Sequence, residues 1–316
     1  LQAAEAMRQR QKMRIKRARL VTIVIAMAFG VALGVILQKF YGVGNIFGVS
    51  DVSYLPNEAN ESRIPEAYQG NLQLFILAGQ SNMSGRGDLP LLGTKADPRI
   101  FIFGNDYHWK LAAEPVDDSA NQVDKVSEDL DAGFGPALSF AAAILELHPD
   151  MAIGLIPCAN GNSSIYEWRR SLSDNTLYGS CLKRLRAASP MGNLAGLLFF
   201  QGEADALDPK QNRKRNLSSD QWEDNFTILV RDWRTDSSLP ELPIVFAQIG
   251  TTRTPEKYPN WAIVQEQQQS VQLPFVEMIT TKDLPLQDTV HFTTESYQII
   301  GKRFAEAYLE LLQEQK

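Results

Sequence analysis

A serine hydroxyl attacks a carbonyl only when a neighbouring base takes its proton, and histidine is the usual base near neutral pH. The chain has three histidines, His108, His148 and His291. His148, in "ELHPD", ends a predicted helix and reads as a surface or cap residue. His108, in "NDYHWK", sits in an aromatic loop and reads as packing or as a ligand contact. His291, in "DTVHF", has a carboxylate at a useful spacing. On a short turn Asp288 reaches the imidazole Nδ1 and leaves Nε2 facing a nucleophile. A DxxH pair is common by chance, so it needs a serine brought to it. The candidate is Ser81 in "LQLFILAGQSNMSGRG", where an apolar run ends in a glycine-studded polar loop.

The elements that must bring these residues together follow from hydrophobic patterning. Short apolar runs at 72–77, 152–157, 195–200, 243–249 and 275–280 predict strands, and "RIFIF" at 99–103 predicts a peripheral one. Longer segments at 136–147, 176–187, 221–234, 259–272 and 294–313 predict helices. In the last of these Tyr297, Ile300, Phe304, Tyr308 and Leu311 recur at three- and four-residue steps, which makes one apolar face. Strands apolar on both faces and alternating with helices imply a mainly parallel sheet covered on both sides, a three-layer α/β/α sandwich. Chemistry in such sheets collects at the carboxyl ends of the strands. There the sequence places "AGQSNMSG", "CANGNSS", "QGEADA" and "TKDLPLQDTVHF". Gly79 lets the chain turn tightly before Ser81.

These blocks, in this order, resemble those of the SGNH-hydrolase superfamily. The branch they are most similar to is carbohydrate esterase family 6 with the sialate O-acetylesterase-like group. The resemblance spans about residues 71–312 and is carried by GQSNM, QGE and DxxH together. It implies a flavodoxin-like sheet, with Ser81 as nucleophile, His291 as general base and acid, and Asp288 as its orienting partner. It also implies an oxyanion hole from the Ser81 backbone N–H, a backbone N–H around Gly161, and the Gln201 side chain. Gln80, Asn82, Asn162 and Glu203 stand beside these on the substrate side, Glu203 as a brace for its loop. Two departures stand out. Relatives commonly read Gly-Gly-Thr where this chain has Gly161-Asn162-Ser163, and the superfamily's third-block asparagine is replaced by Gln201. Asn tolerates a positive φ better than most residues, so its backbone N–H remains usable there.

The remaining composition narrows the setting. The chain has 316 residues, 44% hydrophobic and 22% charged, enough for a full core. A formal charge of −6 divides into +7 over residues 1–42 and −13 over the rest, and the acidic body gives no support to a nucleic-acid partner. Residues 1–19 form a basic tail ahead of "LVTIVIAMAFGVALGVIL" at 20–37, eighteen residues without a charge. Such a run reads as a membrane signal-anchor over 20–38, or as a signal-peptide core. Basic flanking residues keep the N-terminus cytoplasmic, so the body should be exported. Residues 39–70 read as a linker and 71–316 as the catalytic domain.

Two cysteines, Cys158 and Cys181, lack any metal-ligand spacing. In an oxidising compartment they could pair, though sequence does not give their separation. No metal or organic cofactor is implied. Sequons occur at Asn60, Asn82, Asn162, Asn216 and Asn225, and Asn82 and Asn162 fall inside the candidate site. Tyr166 and Trp168 could offer a sugar an aromatic surface or pack in the core, and Arg86 could meet an acidic sugar or nothing at all. The leading expectation is a serine esterase acting on O-acetylated extracytoplasmic carbohydrate. The alternatives are an acyltransferase or lipid/thioester hydrolase on the same triad, or a catalytically silent carbohydrate-binding module.

Overall fold

A computed structural model describes residues 64–314, apart from 92, 95, 96, 125, 127, 211 and 213–215. The predicted membrane segment at 20–38 and most of the linker lie outside these residues. Among the described residues no helix is long and apolar enough to cross a membrane.

The apolar runs become strands β1 (Leu72–Gly79), β2 (Ile100–Phe103), β4 (Ile153–Pro157), β5 (Gly192–Phe200), β6 (Ile244–Ala247) and β7 (Val276–Ile279), with a short β3 (Trp109–Leu111). They form one seven-stranded sheet in the order β3-β2-β4-β1-β5-β6-β7. All neighbours are parallel except β2 and β3. The run at 99–103 is therefore not the sheet's edge. All four residues of β2 are buried, and β3 covers it antiparallel. Three residues of mixed polarity, Trp-Lys-Leu, are too few to show a strand's alternation, which is why β3 has no signature in the sequence.

The strand pleat sends alternate side chains to opposite faces. Phe75 and Leu77 of β1 pack with Phe140, Ile300, Phe304 and Tyr308, from helices α2 (Ala137–Leu147) and α6 (Thr294–Glu314). Leu74 and Ile76 face the other way, toward Tyr178 and Leu182 of α3 (Leu177–Ala188) and Trp222, Phe226 and Trp233 of α4 (Trp222–Ser237). Helix α5 (Trp261–Ser270) adds Val264 to that second layer. The three layers follow from strands that are apolar on both sides.

β1 lies between β4 and β5, where the winding of the sheet reverses. That reversal opens a crevice at the carboxyl ends of these strands. The chain leaves β1 through Gly79, whose φ is +130°. A Cβ there would lie 2.1 Å from the Phe200 carbonyl oxygen, so only glycine fits beside β5. Cys158, just past β4, is disulfide-bonded to Cys181 of α3, with Cα atoms 5.4 Å apart. The pairing that the sequence left open is present.

Candidate active site

The crevice holds a cavity of about 460 Å³ whose wall includes Ser81, Asn162, Glu203, Lys257 and His291. Ser81 opens the single-turn helix α1 (Ser81–Ser84), and its side of the cavity is buried. At a helix start the backbone N–H has no intrahelical acceptor, so that of Ser81 is directed outward.

Asp288 and His291 come from a tight hairpin closed by the Leu286–Phe292 bridge and by Gln287 N–H donating to the His291 carbonyl at 2.8 Å. The three-residue spacing has a physical cause. Asp288 Oδ1 accepts the backbone N–H groups of Val290 at 3.0 Å and His291 at 2.8 Å, which curls the turn back on itself. Oδ2 is then 2.7 Å from His291 Nδ1. The other ring nitrogen, Nε2, is 2.8 Å from Ser81 Oγ. With Nδ1–H donating to the carboxylate, Nε2 is left to accept the serine proton. Burial alone would raise the Asp288 carboxyl. Hydrogen bonds from the His291 ring and from the two backbone N–H groups outweigh it and hold the carboxyl below its usual value.

Asn82 ties the nucleophile turn to its surroundings. Its amide donates to the Glu203 carboxylate and to the Val290 carbonyl at 3.1 Å, and its oxygen accepts from Tyr297 Oη at 2.6 Å. One side chain thus joins α1, the loop after β5, the histidine hairpin and α6. It is completely buried, so the Asn82 sequon is out of reach in the folded chain. Glu203 accepts from Asn82 and also walls the cavity. Burial raises its carboxyl, with Asn82 and the charge of His291 acting in the opposite sense.

Gln201 departs from the expected role. It is fully buried and is absent from the cavity wall. Its amide donates to the Ser163 carbonyl at 3.0 Å and to Asp205 at 2.7 Å, while its oxygen accepts from Trp222 Nε1 at 2.8 Å. These bonds hold it in the scaffold, off the cavity wall. Gln80 does line the cavity, and its oxygen accepts the backbone N–H groups of Gly202 at 3.4 Å and Ala204 at 3.2 Å.

Within the second block it is Asn162, at φ +60°, that faces the cavity. Gly161 instead packs against an ion pair. Arg86 holds Asp129 with two bonds, at 2.6 and 2.8 Å, and donates to Ser84 Oγ and to the Gly85 carbonyl, both at 2.8 Å. A Cβ on Gly161 would lie 2.9 Å from the guanidinium and 3.1 Å from the carboxylate. The Gln287 amide donates to the Arg86 carbonyl, linking this pair to the histidine hairpin. Arg86 is thereby committed to three loops of the site.

Other sequence candidates fall elsewhere. His148 caps the end of α2, and the exposed His108 lies beside Asp106 and Lys110. Trp168 is a core residue whose indole N–H donates to Ser163 Oγ at 3.1 Å. Among the described residues no cluster of His, Cys, Asp or Glu is arranged to hold a metal ion. Lys257, Tyr258 and Asn212 line the cavity without a motif to announce them. Their only signal is position, on the loops that follow β6 and β5.

With this geometry in view, comparison with known proteins decides the family. The sequence profile of a family described as carbohydrate esterase, sialic acid-specific acetylesterase, matches residues 71–310. The chain belongs to that family. This esterase is 33% identical, over 257 residues, to a probable carbohydrate esterase of Arabidopsis thaliana, a match covering 75% of this chain and 90% of the relative. The esterase also resembles a crystal structure from Arabidopsis thaliana with a TM-score of 0.63 and 30% identity, covering 76% of this chain and 98% of that one. A carbohydrate acetylesterase from Xanthomonas citri shares the fold at a TM-score of 0.57 and 20% identity, over 77% of this chain and 56% of that one. NanS shares it at 0.56 and 18%, over 78% and 99%. The chain is accordingly a carboxylic-ester hydrolase of carbohydrate, on an α/β fold with a mostly parallel sheet.

Proposed function

We propose that this esterase removes O-acetyl groups from extracytoplasmic carbohydrate through a covalent acetyl–Ser81 intermediate. The observation that carries the reading is the continuous hydrogen-bonded series from Ser81 Oγ through His291 to Asp288. As Ser81 Oγ attacks the acetyl carbonyl, its proton passes to His291 Nε2, and Asp288 stabilises the imidazolium. The tetrahedral oxyanion is met by the Ser81 backbone N–H and the backbone of the Gly161–Asn162 turn. Such donors are worth about 3 kcal/mol each. His291 then returns the proton to the sugar oxygen as the C–O bond breaks. A water, deprotonated by the same imidazole, releases acetate and restores Ser81.

The cavity wall favours a short acyl group on a polar alcohol over a lipid. Gln80, Asn162, Glu203, Asn212 and Lys257 present amides and charges where a long acyl chain would need an apolar surface. Ser81→Ala tests the reading. We expect acetate release from p-nitrophenyl acetate to fall at least about 10³-fold with an unchanged melting temperature. Retention of most of the turnover would place the nucleophile elsewhere.

Export belongs to the same reading. The uncharged run at 20–37, with seven basic residues before it, supports a signal-anchor with the catalytic domain outside the cytoplasm. The Cys158–Cys181 disulfide is of a kind that persists in oxidising compartments. Protease added outside intact cells should digest the body, and protection of the body would overturn this topology.

A further inference from the structure

A second cavity, of about 550 Å³, is walled in part by the loop that follows β4. Asn160 lines this second cavity and Asn162 lines the first, so one short turn walls both. Two residues span at most about 7 Å of chain, close enough for neighbouring units of one glycan to occupy the two spaces.

The chemistry of the second cavity is set by Tyr166, Arg169 and Arg170. Arg170 is neutralised, since it grips the Asp236 carboxylate with two bonds at 2.9 and 2.8 Å. Arg169 is different. Its guanidinium is stacked 4.0 Å above the Tyr166 ring, and its Nε and Nη2 both donate to the neutral Asn225 oxygen at 3.1 Å. Among the described residues no carboxylate forms an ion pair with it. Glu167, the cavity's one carboxylate, is turned into a capping box, where Oε2 accepts from the Ser164 N–H at 2.7 Å and its hydroxyl at 2.9 Å. The result is a cation held in place by a ring and an amide, with no carboxylate paired to it among the described residues. A planar, pre-positioned guanidinium suits a carboxylate.

We propose that this second cavity is a subsite for an acidic sugar unit, carried on the same oligosaccharide as the acetylated unit at Ser81. The inference rests on the proposed acetylesterase activity and deepens it: the substrate is an oligomer with carboxylates, recognised beyond the unit that reacts.

The test compares the full chain with Arg169→Gln on three substrates: O-acetylated oligogalacturonate, O-acetylated xylo-oligosaccharide and p-nitrophenyl acetate. For the acidic oligomer the substitution should raise KM at least about tenfold, the lower range for a lost charge-assisted pair, with little change in kcat. The neutral oligomer and p-nitrophenyl acetate should change less than about twofold, since neither presents a carboxylate. The KM of the unaltered chain for the acidic oligomer should also rise with added salt. Calorimetric binding of unacetylated oligogalacturonate to Ser81→Ala, with and without Arg169→Gln, reads the subsite without turnover, and binding should weaken by a similar factor. An unchanged KM and unchanged binding in the Arg169 variant would overturn the subsite, and so would an equal loss on the neutral oligomer. Failure of the acetylesterase reading would appear separately, as p-nitrophenyl acetate turnover surviving Ser81→Ala.

Discussion

The two sides of the candidate cavity are built on opposite terms. On the nucleophile side Ser81, Asn82, Gln201, Glu203 and Asp205 are all buried, and a web of side-chain hydrogen bonds joins them to α6 and the strand ends. On the base side the Asp288 side chain is 48% exposed and that of His291 21%. The first side cannot lose a polar partner without stranding another in a dry interior, where water supplies no replacement. On the second side, water does. On the proposed mechanism the difference teaches that activity and stability separate along this cavity: the hairpin would carry chemistry at little structural risk, while the buried web would carry both.

Substitutions can break that comparison from either side. On the exposed side the largest effect is expected from Asp288→Asn. It keeps the shape of the turn but removes the charge and disturbs the tautomer of His291, so kcat should fall by about 10³–10⁴-fold. The melting temperature should stay within a degree or two, as for other exposed sites. A large loss of stability with modest loss of kcat would erase the contrast. On the buried side Asn82→Ala should do both kinds of damage. It leaves the Glu203 carboxylate and the Tyr297 hydroxyl without their partner. We expect about 2–5 kcal/mol less stability in denaturant melts, with a fall in kcat as Ser81 loses its support. A variant as stable as the parent would show that the web is dispensable.

The smallest effect concerns a buried carboxyl away from the cavity. Glu114 has one oxygen without a partner, and burial pushes it up to about 8, against weaker opposing bonds from the Val116 and Gly135 backbone. The folded chain then holds a proton that the unfolded chain has released over the range between the ordinary carboxyl value and about 8. Stability should therefore decline as pH rises through that window and level off above it. Glu114→Gln has no proton to lose, so its melting temperature should fall less than the parent's between about pH 5 and about pH 9. Asp117, raised by burial to about 7, leaves part of the slope in place. Identical slopes in the two proteins would show that Glu114 does not contribute.

How much of this was legible in the sequence depends on how local the cause is. The Asp288–His291 pair was, because a carboxylate capping the backbone N–H groups two and three residues on is a local arrangement. The long strands and helices were legible from continuous apolar runs and from the stripe along α6. The orientation of Gln201 was not. Its place after β5 sets it on the rim, but Asp205 and Trp222 decide which way the amide turns. The same holds for Arg86, which sequence offers as a free cation. Its partner, Asp129, sits 43 residues away in a stretch without a motif. Chain position thus predicts which residues reach the crevice, and long-range polar pairing decides what each does there.

The claim on which the account depends most is that Ser81 is the nucleophile. A fluorophosphonate, which phosphonylates an activated serine, tests it in one step. Intact-protein mass should show one adduct per chain, peptide mapping should place it on Ser81, and Ser81→Ala and His291→Ala should remain unlabelled. An adduct on another residue, or equal labelling of the Ser81→Ala protein, would contradict the account.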